Sequence, residues 1–248
     1  MDSTNDTPTR RDFLVATGLG AGLWLAGLPI GAAAASAAQD DAAGEGQAPG
    51  ESLARTLSPI ENLMREHGLL DRVLLIYEEC LRRMDAFEAL PTGALDQAAD
   101  VARRLIDDYH TTLEDELLFP RIEKTGKFTD LIATLRAQHA AGRLLTNVIQ
   151  KASTPKGMRD AGARGRIGNS IRASARMYRP HAARENTVLF PALGGLLSRE
   201  EYTELGKAFA EREESLFGRE GFEKRIAEVT ALERTLGIED LARVTPAH

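Results

Sequence analysis

The chain has 248 residues, 43% hydrophobic and 27% charged, with a formal net charge of −6. That balance suits a globular protein with one sizeable core, and the lack of a strongly basic half argues against nucleic acid as a partner. A single cysteine, Cys80, leaves no internal disulfide and is expected as a small buried apolar residue.

Residues 1–37 read as an export signal. Thr9-Arg10-Arg11-Asp12-Phe13-Leu14 precede an apolar run from Phe13 to Pro29, and small residues follow, ending in Ala35-Ser36-Ala37. This is the charged, apolar, small-residue order of a signal peptide. The paired arginines ahead of Phe-Leu resemble a bacterial twin-arginine signal. That resemblance implies the twin-arginine export machinery as a partner, passage in the folded state and a periplasmic or extracellular location. The alternative is an uncleaved membrane anchor. The run is barely long enough to span a bilayer and an A-x-A site follows it, so no stable membrane insertion is expected after cleavage. Residues 38–56 are mostly Ala, Gly, Gln, Glu and Asp without apolar period, which reads as a disordered linker.

Residues 57–192 are expected to form an all-α, up-down-up-down four-helix bundle, and residues 193–248 an additional C-terminal helical extension. Ser58-Pro59-Ile60-Glu61 combines a capping box with proline at the first helical position. Ile60, Leu63, Leu70, Leu74 and Leu81 then follow at helical spacing to about Phe87. The second helix spans about Ala94 to Phe119 and is expected to stop at Pro120. Its apolar face is Leu95, Ala102, Leu105, Ile106, Tyr109, Leu113 and Leu117. The third runs from about Phe128 to Lys151 on Leu131, Leu135, Leu145, Val148 and Ile149. The fourth covers about Asp160 to Leu189, with a kink or restart expected near Met177 because Pro180 lies within it. Ser198-Arg199-Glu200-Glu201 opens a fifth helix to about Glu214, and a sixth runs from about Gly221 to Leu236. No stretch reads as a strand.

The chemistry lies in the histidines. Of five, His248 is terminal and reads as a bystander. The others, His67, His110, His139 and His181, fall one on each of the four bundle helices. His110-x3-Glu114-x3-Leu118-Phe119-Pro120 and His181-x3-Glu185-x3-Leu189-Phe190-Pro191 repeat the same pattern. His67 precedes His110 by 43 residues and His139 precedes His181 by 42. The chain is therefore read as a duplicated helical hairpin. Residues i and i+4 share a helix face, so each His-Glu pair aims at one point. His67 lies in line with Leu63, Leu70 and Leu74, and His139 with Leu135, so both face inward. Four imidazoles and two carboxylates buried without partners would cost several kcal/mol, and multivalent cations remove that penalty. The donors suit iron, manganese or zinc, and the absence of thiolates argues against copper(I) or iron–sulfur. One such histidine alone would read as ordinary core; four, with two identical runs, do not.

Neighbouring side chains carry weaker expectations. Tyr109 and Tyr178 read as core aromatics rather than as hydrogen-bond donors to a ligand at the metal. Glu66, Asp108 and Glu116 read as solvated charges rather than as anchors for the imidazoles. Arg143 either lends positive charge at the site entrance or pairs with a surface carboxylate.

These motifs resemble the hemerythrin-like, or HHE cation-binding, family: a lone His, an H-x3-E with a Phe-Pro stop, and then the same again, over about Leu57 to Pro191. The resemblance implies a four-helix bundle with a non-haem di-iron centre, two iron ions in which His67, His110, His139 and His181 are terminal ligands and Glu114 and Glu185 bridge. Oxygen-carrying members have a fifth histidine one turn after the third-helix histidine, where this chain has Arg143. That departure weakens reversible oxygen carriage and favours a site open to O2, peroxide or NO, or one that holds iron loosely as a buffer, store or sensor. The ferritin E-x-x-H pattern and the protease H-E-x-x-H motif are both absent. No catalytic residue is assigned from the sequence.

Overall fold

The computed structural model describes residues 57–219 and 221–246. The expected signal (1–37), the linker (38–56) and His248 lie outside them. Among the described residues the chain is all helical, without strands, and none of its helices is long and apolar enough to cross a membrane.

Helix α1 is Pro59–Asp85. It starts at the predicted capping box, with the Ser58 hydroxyl accepting from the Glu61 N–H and the Glu61 carboxylate accepting from the Ser58 N–H at 2.7 Å. Helix α2 is a continuous run over 94–123. It is built from Ala94–Ala102, a π segment Arg103–His110, Thr111–Leu113, a second π segment Glu114–Leu118, and Phe119–Glu123. Helix α3 is Thr129–Ala152. Helix α4 is Ala161–Arg184 and continues through a π segment Glu185–Leu189 into Phe190–Ala192. Helix α5, Arg199–Phe217, opens on the second predicted capping box, at Ser198, and α6 is Gly221–Leu236.

Three expectations need correction. Helix α2 does not stop at Pro120 but continues to Glu123. The π turn before the proline lets the Phe119 N–H reach back to the Glu114 carbonyl, so the chain enters a new α segment where an imide nitrogen is tolerated. Helix α4 passes through Pro180 without a restart near Met177. Pro180 and Arg176 are both exposed, so the carbonyl that the proline leaves unpaired is on the wet side of the helix. On α3 the inner face is Ile132, Leu135, His139, Gly142, Thr146 and Ile149, whereas Val148 is 37% exposed.

Helices α1, α2, α3 and α4 pack in ring order, each against its neighbours in sequence and α4 against α1. Short loops between them make consecutive helices antiparallel. The core between them is leucine, isoleucine and alanine with Cys80 fully buried, as expected of it; burial pushes that thiol up to about 12. Each fully buried leucine or isoleucine contributes about 1.5–3 kcal/mol. Helices α5 and α6 cover the α1–α2 side. Arg72 of α1 reaches Glu233 of α6 with two guanidinium nitrogens, at 2.9 and 2.5 Å, and Thr230 at 2.7 Å. The Arg65 guanidinium lies 3.6 Å from the centre of the Phe222 ring.

Candidate metal centre

The structure brings all six predicted residues to one place on the bundle axis. His67, His110, Glu114, His139, His181 and Glu185 are each 3% exposed or less. They form two overlapping groups, His67–His110–Glu114–Glu185 and Glu114–His139–His181–Glu185. Within each group one ligand-type atom per residue lies within 4.8 Å of all the others. Both carboxylates belong to both groups.

The contacts alternate between the two halves of the duplication. Glu114 Oε2 is 3.6 Å from His110 Nε2 in its own hairpin and 3.3 Å from His139 Nε2 in the other. Glu185 Oε2 is 3.2 Å from His181 Nε2 and 3.2 Å from His67 Nε2. His139 Nε2 and His181 Nε2 are 3.3 Å apart. All four carboxylate oxygens, with the Nε2 atoms of His67 and His110, are buried and make no hydrogen bond within the protein. Buried polar atoms are rarely left this way, and six in one cluster, all nitrogen or carboxylate oxygen, fit a cation-binding donor set.

The opposite nitrogen of every imidazole is tied down. His67 Nδ1 donates to Asn186 Oδ1 at 2.8 Å, His139 Nδ1 to Asp115 Oδ1 at 2.9 Å, and His181 Nδ1 to Gln138 Oε1 at 2.8 Å. His110 Nδ1 meets Glu66 Oε2 at 2.7 Å. Asn186, Asp115 and Gln138 accept at Nδ1, which leaves Nε2 of His67, His139 and His181 aimed at the axis, as a metal-binding imidazole requires. Burial lowers His110 to about 4 and raises Glu66 to about 8. Burial would also lower His139, but Asp115 and Glu114 outweigh it and raise the imidazole to about 9. Burial would raise Glu185; the His181 and His67 imidazoles, each 3.2 Å from Oε2, instead hold it below the usual carboxylate range.

Glu66 is therefore not the solvated charge expected of it: it is fully buried because it anchors His110. Asp108 and Glu116 do face solvent, paired with Arg103 at 2.7 Å and Arg212 at 2.8 Å. Asp115, Gln138 and Asn186 were missed. The signal that could have found them is the duplication. The residue before each lone histidine (Glu66, Gln138) anchors the H-x3-E histidine of its own hairpin. The residue after each glutamate (Asp115, Asn186) anchors the lone histidine of the other.

The Phe-Pro motif follows the same rule. Phe119 stacks on His139, with ring centres 5.7 Å apart, and Phe190 on His67 at 5.6 Å. Arg143 pairs with a carboxylate, but with the half-buried one that anchors His139 rather than one on the surface, donating to Asp115 Oδ2 at 3.1 Å and to Thr111 Oγ1 at 2.8 Å. Tyr109 packs edge-on against Phe217. The Tyr178 ring stands edge-on to His181 at 5.8 Å.

Comparison with known proteins agrees with this geometry. The family model described as the Hemerythrin HHE cation binding domain matches residues 58–193. Uncharacterized proteins of Mycobacterium tuberculosis and Mycobacterium bovis are 43% identical over 187 residues, covering 75% of this chain and 73% of theirs.

Proposed function

The chain belongs to the hemerythrin HHE cation-binding family, and from that premise we propose that it holds two iron ions and binds or reacts with O2, peroxide or NO after export. His67 and His110 would hold one ion and His139 and His181 the other, with Glu114 and Glu185 common to both donor groups. The observation that carries this reading is the cluster itself: two groups of four donors that share two carboxylates, with every Nδ1 anchored and the inward atoms left to a cation. Iron held there supplies a redox couple and open coordination positions for a small ligand. The protein's part is to aim the imidazoles, to place two carboxylates in a dry core and to exclude bulk water.

Arg143 supports reaction over reversible carriage. Its guanidinium is engaged with Asp115 and Thr111, so no fifth imidazole completes the coordination. Enclosure of all six donors at 3% exposure or less favours a retained centre over a freely exchanging buffer. Export is supported by Arg10-Arg11 and by Ala35-Ser36-Ala37.

Elemental analysis of the purified protein tests the proposal. Two iron atoms per chain are expected, with visible absorption that a reductant bleaches, and Glu114→Ala or Glu185→Ala should lose both. Variants that retain as much iron as wild type would contradict the assignment, and zinc or manganese in place of iron would correct the metal.

A further inference from the structure

A second polar group lies on the bundle axis beside the histidines, and the metal cluster does not use it. In an antiparallel bundle, three residues onward on α1 and α3 and three residues back on α2 and α4 lead in the same direction. Leu70, Gly142, Asp107 and Tyr178 occupy those positions relative to His67, His139, His110 and His181. They form the next layer along the axis, on the side away from Glu114 and Glu185, which lie four residues onward on α2 and α4.

That layer encloses a small cavity lined by Tyr77, Asp107, Thr146, Ser174 and Tyr178 among apolar neighbours. Its free volume is about 10 Å³, on the order of the space that the centre of one water molecule occupies. Tyr77 Oη, Asp107 Oδ1 and Tyr178 Oη are buried there, and none makes a hydrogen bond of good distance and angle within the protein, although the Tyr178 hydroxyl lies close to the Asp107 carboxyl. The three residues are 2%, 6% and 4% exposed. The hydroxyl of Tyr178 sits where only glycine leaves room: a Cβ on Gly142 would stand 1.9 Å from it.

We propose that this layer is a built binding site for one water molecule, held between Tyr77 Oη, Asp107 Oδ1 and Tyr178 Oη. A water can satisfy two to four polar partners in a cavity of this size, and here two phenol-bearing residues and a carboxyl-bearing one line it. The site gives the layer next to the histidines a hydrogen-bond donor and acceptor inside an otherwise apolar bundle. It stands whichever metal the six donors hold, because none of its three residues belongs to that set.

A crystal structure of the purified full chain, at a resolution that orders solvent, tests it. One solvent peak is expected within hydrogen-bonding distance of all three oxygens. The thermal midpoint of Tyr178→Phe gives an independent reading. A hydroxyl that bonds water stabilises the fold, so its loss should lower the midpoint by about 2–4 °C. A hydroxyl buried without a partner destabilises the fold, so its loss would leave the midpoint unchanged or raise it. A dry cavity, a direct Tyr178–Asp107 bond that closes the space, or an unchanged or raised midpoint overturns the proposal.

Discussion

Asp115 shows how one side chain ties the metal cluster to the surface. It accepts from His139 Nδ1 at 2.9 Å and takes Arg143 at 3.1 Å and Arg136 at 3.4 Å. Burial would raise its carboxyl, but the His139 hydrogen bond and charge, with Arg143, hold it below the usual range. Replacing it by alanine removes the group that orients His139. Metal affinity should fall about 10–100-fold, the usual effect of losing such a partner, with the fold retained; isothermal titration with the metal measures this. Asp107 gives a pH signature. Burial, opposed by the Thr146 hydroxyl and Arg143, raises its carboxyl from 3.8 to about 6. A raised carboxyl favours the protonated native state, so its penalty is absent below the unfolded pKa and complete above the folded one. Stability of wild type relative to Asp107→Asn should therefore fall between about pH 4 and 6, by up to about 3 kcal/mol, as read from denaturant midpoints across that range. The six cluster residues were legible because two H-x3-E runs repeat. Asp115, Gln138 and Asn186 were not, because a polar residue on a partly exposed helix face looks the same whether it meets water or an imidazole.

At the scale of the helix, the π segments explain what the 3.6-residue period does not. Each bundle glutamate begins one, Glu114–Leu118 and Glu185–Leu189, and π turns occur frequently at functional sites. The Phe119 and Phe190 N–H groups reach back five residues, to Glu114 and Glu185. The wider turn carries each phenylalanine over the lone histidine of the opposite hairpin. A stop at Phe-Pro was the natural reading of the sequence, since nothing local separates a proline that ends a helix from one that follows a π turn. Caps were more legible: Ser58-x2-Glu61 and Ser198-x2-Glu201 are local chemistry, and both form. Close packing of α3 on α4 gives the prediction at this scale. Gly142→Ala places a methyl group against the Tyr178 hydroxyl, and a stiff aromatic ring has to move. Loss of about 1–3 kcal/mol is expected, measured as a shifted urea midpoint. Unchanged stability would mean that α3 and α4 are not packed this closely.

The whole molecule is two similar hairpins whose metal-facing atoms are complete only together. Each glutamate contacts an imidazole from both, and each Phe-Pro phenylalanine and each Asp115- or Asn186-type anchor serves the hairpin it does not belong to. Packing of the halves and assembly of the cluster are thus the same event. Helices α5 and α6 brace the α1–α2 side through Arg72–Glu233, Arg65 on Phe222 and Tyr109 on Phe217. Their existence was legible in apolar period and capping. Their docking surface was not, because arginines that clamp a neighbouring helix carry the same sequence signal as arginines in solvent.

The central claim is that Glu114 and Glu185 lie between two ions, each held by a histidine pair that spans both α1 and α2 or both α3 and α4. Anomalous diffraction at the iron edge from crystals of the purified protein tests it most directly. Two peaks are expected, one beside His67 and His110 and one beside His139 and His181, with both carboxylates in contact with each. A single peak, none, or peaks away from these six side chains would contradict it.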